Sequence, residues 1–148
     1  VTATAFAWAF RNDLAALGEA QQAMAAWLEA RGVPEAARSR LHLVLDELAA
    51  NVIEHGHAVA ERGRHPLRLA LRLGAAAELV LLDRGAAFDP RGRGGTALEG
   101  PLEEARIGGL GLFLVEQLAQ RIEYGRTPDG WNETRVTVAL PDAPAAPG

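Results

Sequence analysis

The chain has 148 residues, 15 basic and 19 acidic, and a formal charge of −4. That length suits one domain with a sizeable core, and a composition 49% hydrophobic is that of a soluble globular chain. The acidic balance leaves no footprint for direct nucleic-acid binding, and the absence of cysteine excludes disulfide frameworks and thiolate metal sites. In chain order, residues 2–10, TATAFAWAF, alternate strictly and predict a strand with Phe6, Trp8 and Phe10 on one face. Apolar residues at helical spacing, including Leu17, Met24 and Leu28, predict a helix over 14–31 stopped by Gly32. Pro34 opens a second helix that runs to Gly56. Residues 66–73 and 78–82 read as two strands of a hairpin. The segment 83–109 is Gly-rich, mostly polar and too long for an idle connection. A third helix over 110–120 is followed by RIEYGR, a TPDG turn and a strand in ETRVTVAL.

Hairpins imply antiparallel pairing, and the strand–helix alternation of a doubly wound fold is missing. The expected class is α+β, a two-layer sandwich with a mixed, mostly antiparallel sheet and its helices on one face. Residues 1–140 form the domain, and 141–148, PDAPAAPG, read as a disordered tail. No run approaches the ~18 apolar residues of a membrane span and the start is not basic, so no membrane association and a cytoplasmic location are expected.

Three stretches carry more than fold. In the second helix, Glu47, Asn51 and His55 are each four apart and stack along one edge of the apolar stripe made by Leu41, Val44, Leu45, Leu48 and Val52. Asn is a poor helix-interior residue, so its place beside a buried face asks for a reason. In DRGAAFDP (83–90), Asp83 at a strand end puts a carboxylate beside Gly85, where backbone can be approached closely. That carboxylate could accept from an exocyclic amine such as that of adenine. A large aromatic, Phe88, is unusual at a turn tip. In GGLGLFLV (108–115), Gly108, Gly109 and Gly111 open a helix whose free N–H groups would suit phosphate. All 15 basic residues are Arg, which removes the lysine of a P-loop. Phosphate would then be held by Arg, a metal ion or backbone N–H groups.

E-x-x-x-N-x-x-x-H on a helix, then D-x-G-x-x-F-D-P, then G-G-x-G-L resemble, in order and spacing, the three nucleotide-binding boxes of the GHKL (Bergerat-fold, histidine-kinase-like) ATPase superfamily. The F-D-P ending and short length look most like its anti-sigma-factor serine/threonine kinase branch, whose members sequester a sigma factor and phosphorylate an anti-anti-sigma protein of the STAS type. The resemblance implies ATP and Mg²⁺ as cofactors, with Asn51 giving its amide oxygen to the metal and Glu47 acting as general base on the substrate hydroxyl. It implies that His55 lies near the phosphates, that Asp83 reads the adenine amine, and that Gly85 admits the ring with Phe88 nearby. It further implies that Gly108, Gly109, Leu110, Gly111 and Leu112 cradle phosphate and that Thr134 supports Asp83. The segment around Arg91, Arg93 and Arg106 would be the ATP lid, with few large apolar groups to hold it before nucleotide arrives. A homodimer is also suggested.

Sensor histidine kinases of the superfamily often carry Lys or Arg immediately before the box histidine, whereas this chain has Glu54. An acid there would repel phosphate, so it is expected to face solvent. The same residues also admit a catalytically silent module in which nucleotide gates partner affinity. A metal hydrolase built on His42, Asp46, His55 and His57 lacks a joining carboxylate cluster, and the His42 edge points away from His55.

Overall fold

The computed structural model describes residues 5–91 and 110–141. The described chain runs β1 (Ala5–Arg11), α1 (Leu14–Ala30), α2 (Glu35–Asn51), β2 (Pro66–Leu73), β3 (Ala76–Asp83), α3 (Leu110–Leu118), β4 (Ala119–Arg126) and β5 (Asn132–Ala139). The five strands form one sheet in the order β1-β2-β3-β5-β4. Every described pairing is antiparallel, so the sheet is not mixed as the sequence suggested. The expected tail lies, but for Pro141, outside the described residues.

Alternation decides which face of the sheet is buried. Leu67, Leu69 and Leu71 of β2, Ala77, Leu79 and Leu81 of β3, and Val136 and Val138 of β5 are all buried. They meet Leu17, Met24 and Leu28 of α1 and Leu41, Val44, Leu45 and Leu48 of α2 in one core. Each large side chain there contributes about 1.5–3 kcal/mol by leaving water. Between them Arg68 and Arg72 point to the other face and are exposed. The same period of two continues past the hydrophobic residues. It therefore turns Asp83, Thr134 and Asn132, all buried, toward the helix layer at one end of the sheet.

Helix boundaries have local causes. The Asp13 side chain caps α1 by accepting from Ala16 N at 2.7 Å. Gly32, at φ +72°, closes it: Gly32 N donates to Glu29 O and Val33 N to Leu28 O, the paired bonds of a Schellman stop. Helix α2 was expected to reach Gly56, but its α-helical part ends at Asn51. Residues Val52–Gly56 form a single π-helical turn. Gly56 O accepts from Ala86 N at 3.0 Å, so the widened turn carries the helix end to the loop that follows β3. Such turns often mark functional sites. Helix α3 ends at Leu118, two residues short of expectation, because Ala119 already pairs with Val138.

Gly85 is the other half of that junction. A Cβ there would lie 2.8 Å from Gly56 O and 2.9 Å from Gly56 Cα. Both neighbours are backbone that cannot rotate aside. Gly85→Ala is expected to destabilise the fold by about 1–3 kcal/mol, the usual cost of overpacking. Thermal or denaturant unfolding checks it, and an unchanged midpoint would show that the junction yields.

Candidate functional site

The end of the sheet, the π turn and the loop after β3 enclose a cavity. Its walls are mostly apolar, from Leu48, Val52, Leu81, Ala86, Ala87, Phe88 and Pro90, with Asn51, His55, Asp83, Asn132 and Thr134 supplying polar atoms. A concave apolar site with few converging polar groups suits a flat, partly polar ligand. Four sequence-predicted residues from helix and sheet, Asn51, His55, Asp83 and Thr134, thus converge with Phe88 from the loop.

Asp83 is 6% exposed. Its Oδ1 accepts from Gly85 N at 2.8 Å and from Asn132 Nδ2 at 3.0 Å. Among the described residues no hydrogen bond falls on Oδ2, which leaves one acceptor for a ligand. Asn132 is the residue that sequence reasoning missed. Thr134 was expected to support Asp83, but the pairing register sets Thr134 opposite Leu81 and Asn132 opposite Asp83. The supporting bond therefore comes from Asn132, while Thr134 lines the cavity. The signal lay in the strand itself, since inward Val138 and Val136 imply an inward Thr134 and then Asn132.

Gly85 also differs from expectation. The space a side chain would take there is filled by Gly56, and Gly85 is not part of the cavity wall. Its absent Cβ serves the packing of the π turn. Phe88 is partly buried against the core, and its main-chain N donates to Tyr124 Oη at 3.2 Å.

Glu47 lies one turn before Asn51 but outside the cavity. A Cβ on Gly111, in the first described turn of α3, would overlap the Glu47 carboxylate, so the two residues lie in close contact. This contact brings the first and third sequence stretches together. Burial, then Asp46, then Glu54 push the Glu47 pKa above the usual glutamate value. His55 is half exposed and sits 3.8 Å from Glu54. Glu54 is exposed, as expected, although it faces His55 rather than open water alone. His57 stacks on His65 with ring centroids 3.8 Å apart. Burial and then His65 push its pKa down, so it is neutral at neutral pH.

In the third stretch, Gly108 and Gly109 lie outside the described residues, as do Arg93, Arg106 and most of the expected lid. Leu110 opens α3. The Leu112 side chain is buried in the core, so only its backbone is available to a ligand. Arg91 is turned back onto Asp89, with Nη2 to Oδ2 at 2.7 Å. Among the described residues no cluster of three or more His, Asp or Glu side chains is placed to hold a metal ion.

The model of the histidine kinase-like ATPase domain family matches residues 10–138. The chain belongs to that family. It is 31% identical over 118 residues to the serine/threonine-protein kinase BtrW of Bordetella bronchiseptica, a match spanning 75% of this chain and 80% of that protein. The family domain is thus a homologue of a serine/threonine kinase. Among solved structures it is similar to the RsbU and RsbW domains of Rv1364c from Mycobacterium tuberculosis, with TM-score 0.63 and 16% identity. That match covers 95% of this chain and 33% of the other, so the chain spans about a third of that protein. It is also similar to the SiaB–SiaC complex of Pseudomonas aeruginosa, with TM-score 0.66, 13% identity and coverage of 90% and 88%. At those identities the likeness shows the fold, and the fold is that of the histidine kinase-like ATPases. Membership of an ATPase family implies that the domain binds ATP. Among the described residues no helix is long and apolar enough to cross a membrane.

Proposed function

We propose that this domain is a cytoplasmic anti-sigma factor and serine/threonine kinase that uses ATP and Mg²⁺. It holds a sigma factor and releases it by phosphorylating an anti-anti-sigma protein of the STAS type. The observation that carries the nucleotide reading is the Asp83 carboxylate, buried in the cavity wall and held on Oδ1, with no hydrogen bond on Oδ2 among the described residues. The kinase reading is supported by the kinase homologue and by Glu47, packed against Gly111 with a raised pKa. The partner reading rests on the order of the three motifs, and the similarity to a structure that is itself a complex is in keeping with it. A homodimer is part of the same proposal.

MgATP supplies the phosphoryl group. Asp83 accepts from the 6-amino group of the base, and Thr134 and Phe88 line its slot. Asn51 would give its amide oxygen to Mg²⁺, which would offset phosphate charge, and His55 would stand at the phosphate side. Backbone N–H groups at the described start of α3, Leu110–Leu112, would receive phosphate oxygens. Glu47 takes the proton of the serine or threonine hydroxyl as the new P–O bond forms and the bond to ADP breaks.

Asn51→Ala is expected to weaken MgATP binding while barely changing metal-free nucleotide, because the lost ligand belongs to the metal. Calorimetric titration with and without Mg²⁺ checks it. Equal weakening in both would assign Asn51 a structural role. For the partners, a purified complex of the domain with a sigma factor should release it when ATP and a STAS protein are added together. Release that needs no ATP would contradict the kinase reading.

A further inference from the structure

Behind Asp83 the structure has a buried relay that none of the three motifs contains. Asn132 is 2% exposed. Its Nδ2 donates to Asp83 Oδ1 at 3.0 Å, to Gly85 O at 3.0 Å and to Ala86 O at 3.3 Å. Two hydrogens serve three acceptors, so one is shared. Its Oδ1 accepts from Tyr124 Oη at 2.9 Å and from Arg126 Nη1 at 3.3 Å. Tyr124 Oη in turn accepts from Phe88 N at 3.2 Å. Every polar position of the Asn132 amide is engaged, so its orientation is fixed. The donor end meets Asp83, and the acceptor end meets β4.

We propose that Asn132, held by Tyr124, is a specificity-positioning residue that locks which oxygen of Asp83 faces the base and ties that carboxylate to the main chain at Phe88. The inference rests on Asp83 reading the base, as proposed above. Two donors, Gly85 N and Asn132 Nδ2, converge on Oδ1 and hold the carboxylate rotamer. Oδ2 is then the oxygen presented to an amine. Without Asn132, the carboxylate keeps one of its two anchors, and the Gly85 and Ala86 carbonyls lose their side-chain ties to β5, leaving the bond from Phe88 N to Tyr124 Oη as the tie to β4. A carboxylate that can swing no longer favours a purine with a 6-amino group over one without it.

Calorimetry on the whole domain tests this with two ligands, ATP and the purine riboside triphosphate that lacks the 6-amino group. Their affinity ratio reports the Asp83 contact and is insensitive to a general loosening of the fold. Asn132→Ala is expected to lower that ratio roughly tenfold, the order of one charge-assisted hydrogen bond. Tyr124→Phe keeps the ring and removes only the hydroxyl, so it should lower the ratio a few-fold with little change in melting temperature. It keeps the proposal falsifiable if Asn132→Ala fails to fold. An unchanged ratio in folded Tyr124→Phe and Asn132→Ala, or a drop in both affinities by the same factor, would overturn the positioning role. Should the wild-type domain fail to prefer ATP over the analogue, the base-reading role of Asp83 falls first and the positioning role with it.

Discussion

Glu47→Gln is expected to bind ATP with near wild-type affinity and to transfer phosphate roughly 10²–10⁴-fold more slowly, the usual worth of a positioned general base. The substitution keeps size and hydrogen-bonding capacity and removes only basicity. The contribution is made in the transition state, so binding should survive. The site geometry adds a pH signature. Burial and the neighbouring Asp46 and Glu54 carboxylates raise the Glu47 pKa above 4.5, which makes it a better base and moves its protonation upward. As pH falls through that raised value the base is lost, so the wild-type rate should decline on its acid limb at a higher pH than an ordinary glutamate would give. Glu47→Gln should lack that limb. Gly111 faces the same carboxylate, so a misplaced helix α3 would lower transfer in the same way without touching the base pocket. Rapid-quench single-turnover assays across pH separate the two: only loss of the base removes the pH dependence.

Asp83→Asn should have the largest effect on nucleotide binding, with ATP weakened by roughly 10- to 100-fold, the cost of losing a hydrogen bond to a charged group. The neighbours decide which way the new amide points. Gly85 N and Asn132 Nδ2 both donate to the Oδ1 position, so the amide oxygen must occupy it. The amide NH₂ is then turned to the base, donor against the donor amine of adenine. A purine with a 6-oxo group presents an acceptor there and should lose less or gain. Titration with ATP and inosine triphosphate should therefore show selectivity shifting toward the oxo purine. A folded variant with unchanged ATP affinity would remove Asp83 from the base pocket.

Much of the fold was legible because alternation in β2, β3 and β5 and helical spacing in α1 and α2 are local signals. The row of Glu47 and Asn51 was legible for the same reason. What was not legible depends on partners far away in the chain. The π turn at Val52–Gly56 is tied to the loop after β3 by the bond from Ala86, and nothing in VIEHG itself announces it. Gly85 reads as a hole for a ligand until Gly56 is seen filling the space. Asn132 falls between the TPDG turn and the strand read in ETRVTVAL, and only the register with β3 sets it beside Asp83. The end of α3 was misjudged because Ala119 takes up strand pairing beside Val138, an event invisible in a window of apolar residues.

The central claim is phosphoryl transfer from ATP to a protein hydroxyl by this domain. It is tested most directly by incubating the purified domain with ATP labelled in the γ position and STAS-type proteins from the same genome, then mapping the label. Label is expected on a serine or threonine of one STAS protein, formed with wild type and nearly absent with Glu47→Gln. Tight ATP binding with no STAS protein labelled, or equal labelling by Glu47→Gln, would contradict it.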